Sequence, residues 1–254
     1  MTRVIKVGGR PQSDPRLAGA IASGWNRGDG QLVLVHGGGD EISTLQSAFG
    51  ETSRFVDGRR VTSERDIDLV RMALSGSANK RLVALLVGSG IDAVGLSGED
   101  AALIGASPVD VDRLGYVGIP KTVNVAFLRH LLSGGYLPVV SPVSRDGSGT
   151  LGSALNVNGD DAAAAIAIAI GAAELLLVAD VAGVLCDGKV IPELTPDEAR
   201  ELIADGTAVG GMRAKLEAGL RAIEGGVPCV RISDLAAIAD GKHGTILRSI
   251  GELT

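Results

Sequence analysis

Two short apolar runs in this chain each end in a cluster of glycines, and that pairing limits the fold more than any other feature. Val4–Val7 leads into Gly8-Gly9, and Leu32–Val35 leads into His36-Gly37-Gly38-Gly39. A strand that is apolar at successive positions is buried on both faces, which calls for helices above and below a parallel sheet. Glycine at the end of such a strand lets backbone N–H groups approach an anion at a helix N-terminus. Tight βα turns also use glycine, so the clusters mark either a ligand site or plain turns.

The rest of the chain keeps the same alternation. Ala93–Leu96, Leu103–Gly105, Leu137–Val143, Leu175–Ala179 and Val227–Ile232 read as strands. Ala18–Arg27, Asp40–Phe49, Val125–Leu132, Asp160–Ile170, Pro196–Ala204 and Met212–Glu224 read as helices. Asp40 is placed to cap its helix and Gly50 to end it. Glu64–Gly88 has a helical apolar pattern that Gly76 and Asn79 are expected to divide in two. Strands alternating with helices imply an α/β sandwich with a mostly parallel sheet. The turn-rich stretch Ser144–Ser153 is the candidate boundary between two lobes.

Composition then excludes whole classes of function. The 24 basic and 30 acidic residues leave a net charge of −6, and aromatic residues make up only 2%. Neither a surface for a phosphate backbone nor platforms for stacked bases are expected, which excludes nucleic acid as a partner. The two cysteines, Cys186 and Cys229, form no CxxC, and the three histidines are dispersed, so no protein-held metal is expected. The longest apolar run, Ala162–Ala173, falls short of the ~20 residues that cross a bilayer. No secretory leader is recognisable, so a soluble cytoplasmic protein without a membrane partner is expected.

Conventional phosphate motifs are missing. There is no GxxxxGK[ST], and Gly147-Ser-Gly-Thr-Leu-Gly152 has dinucleotide-motif spacing without the preceding strand or following helix, so it reads as a loop. Lysine is scarce, six against 18 arginines, which makes two positions informative. Lys6 lies inside the first strand, one residue before Gly8-Gly9. It either holds a phosphate as a point charge or snorkels to solvent. Lys215 follows Gly210-Gly211 by about one helical turn and is either a second phosphate ligand or a surface lysine. Asn156-Val-Asn158-Gly-Asp160-Asp161 carries more polar groups than helix capping needs, so at least one should turn inward. Asp180 ends a strand, where it could face nucleotide or make a turn. Arg59-Arg60 could grip a carboxylate bidentately or be a solvated pair.

In order and spacing, these segments resemble the amino acid kinase family over nearly the whole chain. The resemblance rests on Lys6-Val-Gly-Gly9, Val35-His-Gly-Gly-Gly39, Gly58-Arg-Arg60-Val-Thr62, Ala78-Asn-Lys80, Ala93–Ser97, Gly115–Gly118, Gly135–Val140, Asn156–Asp160, Asp180–Leu185 and Gly210–Lys215. It implies one three-layer αβα sandwich. The N-lobe, about residues 1–150, would hold an acyl substrate and make a homodimer. The C-lobe, about 151–254, would hold ATP with Mg²⁺ carried on the nucleotide. The implied substrate is N-acetyl-L-glutamate, phosphorylated on its γ-carboxylate. By the same resemblance Lys6 and Lys215 stabilise the transferring phosphoryl group and Asp160 orients them. Gly9, Gly38, Gly39, Arg60 and Asn156 would bind the acyl substrate, with Arg60 on a carboxylate. Gly8, Asp180, Val181, Gly183, Val184, Leu185, Gly210 and Met212 would line ATP.

Two departures from the family pattern stand out: Gly159 in place of alanine before Asp160, and Arg59 in place of leucine before Arg60. The short N-terminus lacks the helix by which arginine-inhibited relatives form hexamers, which implies a dimer without arginine feedback. A related kinase acting on an aminoadipate or glutamate held by an acidic carrier protein would need a basic docking surface. Ala101–Asn124 sets only Arg113 and Lys121 against Asp110 and Asp112. A non-catalytic nucleotide sensor on the same fold would not require Lys6, Asp160 and Lys215 together.

Overall fold

A computed structural model describes residues 1–56 and 58–248 of the chain. The first half runs β1 (Arg3–Val7), α1 (Leu17–Arg27), β2 (Leu32–His36), α2 (Gly39–Ala48), β3 (Phe55–Val56), β4 (Arg59–Arg60), α3 (Glu64–Arg71), α4 (Asn79–Gly88), β5 (Ala93–Gly98), β6 (Ile104–Pro108), α5 (Val111–Leu114), β7 (Val117–Val123) and α6 (Val125–Ser133). The second runs β8 (Leu137–Asp146), β9 (Ala154–Val157), α7 (Gly159–Ile170), β10 (Glu174–Val178), β11 (Leu185–Cys186), β12 (Lys189–Val190), β13 (Glu193–Leu194), α8 (Pro196–Ala204), α9 (Gly210–Glu224), β14 (Val230–Ser233), α10 (Ala236–Asp240) and β15 (Thr245–Leu247).

Among the described residues eleven strands form one sheet, in the order β13-β15-β14-β10-β1-β2-β8-β6-β7-β9, with β5 also paired to β8. β1 lies at its centre, parallel to both β2 and β10. Its side chains alternate between the faces, as pleating requires. Ile5 and Val7 pack with Ile21 of α1, Leu86 of α4 and Ile238 of α10. Val4 packs on the other face with residues of α6, α7, α8 and α9. The result is the expected three-layer αβα sandwich around a mostly parallel sheet; β6–β7, β8–β9 and β14–β15 are its antiparallel pairs. A smaller cluster under α2 and α3, including Ile42, Ile67 and Leu74, packs against Val143 and Ala154.

The chain departs from expectation in two places, Glu64–Gly88 and Asp40. Glu64–Gly88 is not divided: a π-helical segment, Met72–Ala78, joins α3 to α4, and Asn79 is itself helical. Gly76 is tolerated because that segment packs against α2 and β8 through its own buried residues Ala73, Leu74 and Ala78. Ser144–Ser153 is a hairpin turn, since β8 continues to Asp146 and returns as β9 with Val143 opposite Asn156. The Asp146 carboxylate holds this turn by accepting from the backbone N–H groups of Ser148, Leu151 and Gly152. Gly147–Gly152 is thus a loop, as its flanks predicted. Lastly, Asp40 does not cap α2. The helix starts at Gly39 after Gly38 at φ 151, without any side-chain cap, and Asp40 sits in its first turn.

Candidate functional site

Lys6 is the anomaly of β1. It occupies the same face as Val4, under α7, and is only 8% exposed. A charge so placed needs a partner, because desolvating a lone ammonium costs several kcal/mol. Asp160, in the first turn of α7, supplies it: Lys6 Nζ lies 3.0 Å from Asp160 Oδ1. Lys215, from the first turns of α9, reaches the same carboxylate, with its Nζ 3.3 Å from each oxygen. Burial by itself pushes the Asp160 carboxyl up, but the two ammonium groups outweigh it and hold the acid below its ordinary range. Burial and the nearby Lys6 charge push Lys215 down to about 8, against the pull of Asp160. Two cations from different parts of the fold therefore share one anion.

The backbone is built to bring them close. A side chain at Gly8 would place its Cβ 2.8 Å from Lys6 Nζ, so glycine there lets the ammonium keep its place beside Asp160. The loops after β1 and β2 touch each other, with Gly37 N–H donating to Val7 O at 2.9 Å. His36 fixes the second loop from behind. Its Nδ1 donates to Gly37 O at 2.8 Å and its Nε2 accepts from Asn79 Nδ2 at 3.0 Å. Burial pushes His36 down to about 4, so the ring is neutral, as this pair of bonds requires. α2 and α9, both entered through glycine pairs, have no side-chain cap. α3, α6, α7 and α8 are capped by Ser63, Asn124, Asn158 and Thr195. α2 and α9 thus present uncapped N-termini next to the lysines, and uncapped helix N–H groups attract anions.

A cavity of about 190 Å³ opens beside Lys6 and Asp160; its wall includes Gly37, Gly38, Gly39, Arg59, Arg60, Leu74 and Asn156. It is smaller than the ~300 Å³ at which drug-sized pockets begin, and so suits a small metabolite. Arg60 is 7% exposed. Its Nη1 donates to Gln46 Oε1 and Ser53 Oγ, both at 2.6 Å, and its Nη2 to Gly39 O at 2.8 Å and Ser43 Oγ at 2.9 Å. These are neutral acceptors, and the guanidinium stacks on Phe55 4.7 Å away. Burial pushes Arg60 below its ordinary value while Asp66 and Asp40 act only from a distance. Arg59 is different: its Nη2 donates to Asp161 Oδ2 at 2.9 Å, and Arg221 of α9 bonds the other oxygen of Asp161. Asn156 donates to Thr62 Oγ1 at 2.9 Å, while Asn158 caps α7 by accepting from Asp160 N–H at 2.8 Å. A larger cavity of about 530 Å³ lies between α1 and α10 and contains neither lysine.

Lys6, Gly38, Gly39, Arg60, Asn156 and Asp160 thus share one cavity wall, and Lys215 meets them through Asp160. Gly9 is not in that wall; it lies next to Asp180, 4.0 Å from the Oδ1 atom to a Cβ built on it, because the β1 loop turns toward β10. Asp180 follows β10 and lies 3.6 Å from Arg10. Val181 and Met212 are half-buried, Leu185 is 40% exposed, and Gly210 opens α9. Gly183 and Val184 are turned into the core, where Val184 N–H already donates to Thr245 Oγ1 at 2.8 Å. Sequence reasoning missed Ser43, Gln46 and Ser53 around Arg60, which carry no pattern that would mark them. It also missed the role of Asp161, although two successive acids at a helix start were there to be seen.

Known proteins resemble this chain over nearly its whole length. The profile of the amino acid kinase family matches residues 1–234. An acetylglutamate kinase of Chloroflexus aurantiacus is 45% identical over 249 residues, covering 96% of this chain and 97% of the relative. One from Geobacillus kaustophilus is 42% identical over 252 residues, covering 97% and 96%. Among solved structures, the smu.665 protein of Streptococcus mutans UA159 superposes with a TM-score of 0.86 at 29% identity, covering 98% of each chain.

Proposed function

The chain belongs to the amino acid kinase family, and we propose that it transfers the γ-phosphoryl group of ATP to the γ-carboxylate of N-acetyl-L-glutamate. The product is N-acetylglutamyl 5-phosphate, an intermediate of arginine biosynthesis. The observation that carries this reading is the convergence of Lys6 and Lys215 on Asp160 beside a small, cation-lined cavity.

The chemistry follows from the charges. The acceptor carboxylate is ionised at neutral pH, so one of its oxygens attacks the γ-phosphorus without a general base. The bond to the bridging oxygen breaks and ADP leaves with that electron pair. The difficulty is bringing two anions together, and catalysis is mainly positioning and charge stabilisation. Lys6 and Lys215 spread their charge over the transferring group, and Asp160 keeps them from repelling each other apart. The free N–H groups of Gly38 and Gly39 face the acceptor, and Arg60 offers its buried positive charge to the carboxylate that does not react. Asn156 contributes its amide. On the other side, Gly8, Gly9, Asp180, Val181, Leu185, Gly210 and Met212 rim the nucleotide, with Gly183 and Val184 supporting that rim from the core.

Mg²⁺ fits as an ion brought in on the phosphates, whose charge it would partly neutralise. The carboxylate nearest the phosphoryl site, Asp160, is already shared by two ammonium groups. Within this single domain the N-lobe (about 1–150) holds the acyl substrate and the C-lobe (about 151–254) the nucleotide; residues 249–254 lie outside the described part. A homodimer in the cytoplasm completes the reading, supported by Met72, Leu85 and Val87, apolar and 42–55% exposed on the long helical segment.

The deciding experiment follows ADP release with acetylglutamate and traps the acyl phosphate with hydroxylamine. Turnover confined to a carrier-linked acidic substrate would replace this reading with the related carrier-dependent kinase. Nucleotide binding without turnover of any acidic acceptor would make the protein a sensor.

A further inference from the structure

The cavity wall holds two adjacent arginines in opposite states. All four Nη hydrogens of Arg60 are directed at protein acceptors: Gln46, Ser53, Gly39 and Ser43. Arg59 uses Nη2 to bond Asp161, and its Nη1 is buried with no hydrogen-bond partner among the described residues. A buried guanidinium N–H without an acceptor loses the full cost of desolvation, which makes it a place where an acceptor belongs.

Arg59 is also held rigidly at that place. It sits on β4, paired with β3 through Val56. Asp161 is 6% exposed and is gripped from its other side by Arg221 of α9. The free Nη1 therefore points from a guanidinium whose position is set at both ends, and Arg59 lines the cavity with Lys6 and Arg60. The acceptor proposed above is a dianion. Its reacting carboxylate meets the lysines, and its second carboxylate needs N–H donors that Arg60 has largely committed elsewhere.

We propose that Arg59 is a second carboxylate-binding arginine: its Nη1 donates to the non-reacting carboxylate of the acidic acceptor, while Asp161 and Arg221 hold it in place. This rests on the acceptor being an acylated acidic amino acid, but not on which one. It goes beyond the assignment of Arg60, because the position before Arg60 is commonly leucine in the resembling family and leucine could make no such bond.

The test compares R59L and R59K with wild type on two acceptors, acetylglutamate and 4-acetamidobutyrate, which lacks the second carboxylate. R59L should raise KM for acetylglutamate roughly 10- to 100-fold, the range for losing hydrogen bonds to a charged group. Both kcat and KM for ATP should stay within about threefold. R59K should recover part of the loss. With 4-acetamidobutyrate, wild type and R59L should be equally poor. A loss of the same size on both acceptors, an unchanged KM for acetylglutamate, or a loss confined to kcat would overturn the proposal. If wild type turns over a different acidic acceptor, the proposed reaction falls. The same comparison, on that acceptor and its decarboxy analogue, still decides Arg59.

Discussion

Asp160 and Asp161 are neighbours in sequence and in burial, 4% and 6% exposed, yet they gather opposite kinds of cation. Asp160 holds two lysines, Lys6 and Lys215; Asp161 holds two arginines, Arg59 and Arg221. An ammonium is a compact point charge that can release its proton, and a guanidinium is a planar fork that stays charged. The first group suits a phosphoryl that moves during the reaction; the second suits a carboxylate that must stay still. Adjacent residues on a helix lie about 100° apart around its axis. One helix start thus serves both jobs in two directions.

The strongest test of this contrast removes a lysine. Lys6→Ala should lower kcat about 10²-fold or more, as expected for a charge aimed at the transition state; a kcat equal to wild type would end its assigned role. Next in size, the two carboxylates should fail differently when neutralised. Asp160→Asn leaves two buried ammonium groups facing each other and should cost about 3–5 kcal/mol of stability along with activity. Asp161→Asn should chiefly raise KM for the acceptor, because Arg59 loses its anchor. Equal kinetic profiles for these two variants would erase the distinction.

A third test uses pH. Lys215 is pushed down to about 8, so kcat/KM should be flat below pH 8 and fall about tenfold per pH unit above it, as the ammonium is lost. Stability runs the other way. A lysine depressed in the folded state makes the unfolded chain bind more protons between about 8 and its ordinary 10.5, so this group's contribution to stability rises across that window. An alkaline limb absent up to pH 10 would contradict the charged Lys215. The smallest effect belongs to Arg221, whose side chain is 38% exposed. Arg221→Ala should change stability by no more than about 1 kcal/mol and raise the acceptor KM less than Asp161→Asn does.

The parts of this arrangement that were legible beforehand are those with a local cause. β1, β2 and β10 are apolar at successive positions, and Lys6 was conspicuous as a charge inside such a run. Gly210-Gly211 before Lys215 marked a helix opened without a cap. What stayed hidden depends on long-range contacts. β7 contains Gly118 and Pro120, which weaken any strand pattern, and it forms because β6 and β9 flank it. The π-helical bridge at Met72–Ala78 is held by packing against β8 and α2, and no local residue marks it. The surroundings of Arg60 come from Gln46, 14 positions away, and the anchor of Arg59 from Asp161, 102 positions away.

The central place of β1 also sets when the enzyme can come into being. The strand is made well before one of its two flanking partners, β10, with Arg3 bonded to Glu174 across 171 positions. Until that partner has been synthesised, β1 has an open edge, and such edges invite pairing with other chains. Contacts so distant in sequence slow folding. Lys6 meets Lys215 only after α9 has followed, so a nascent fragment that stops short of α9 is catalytically silent.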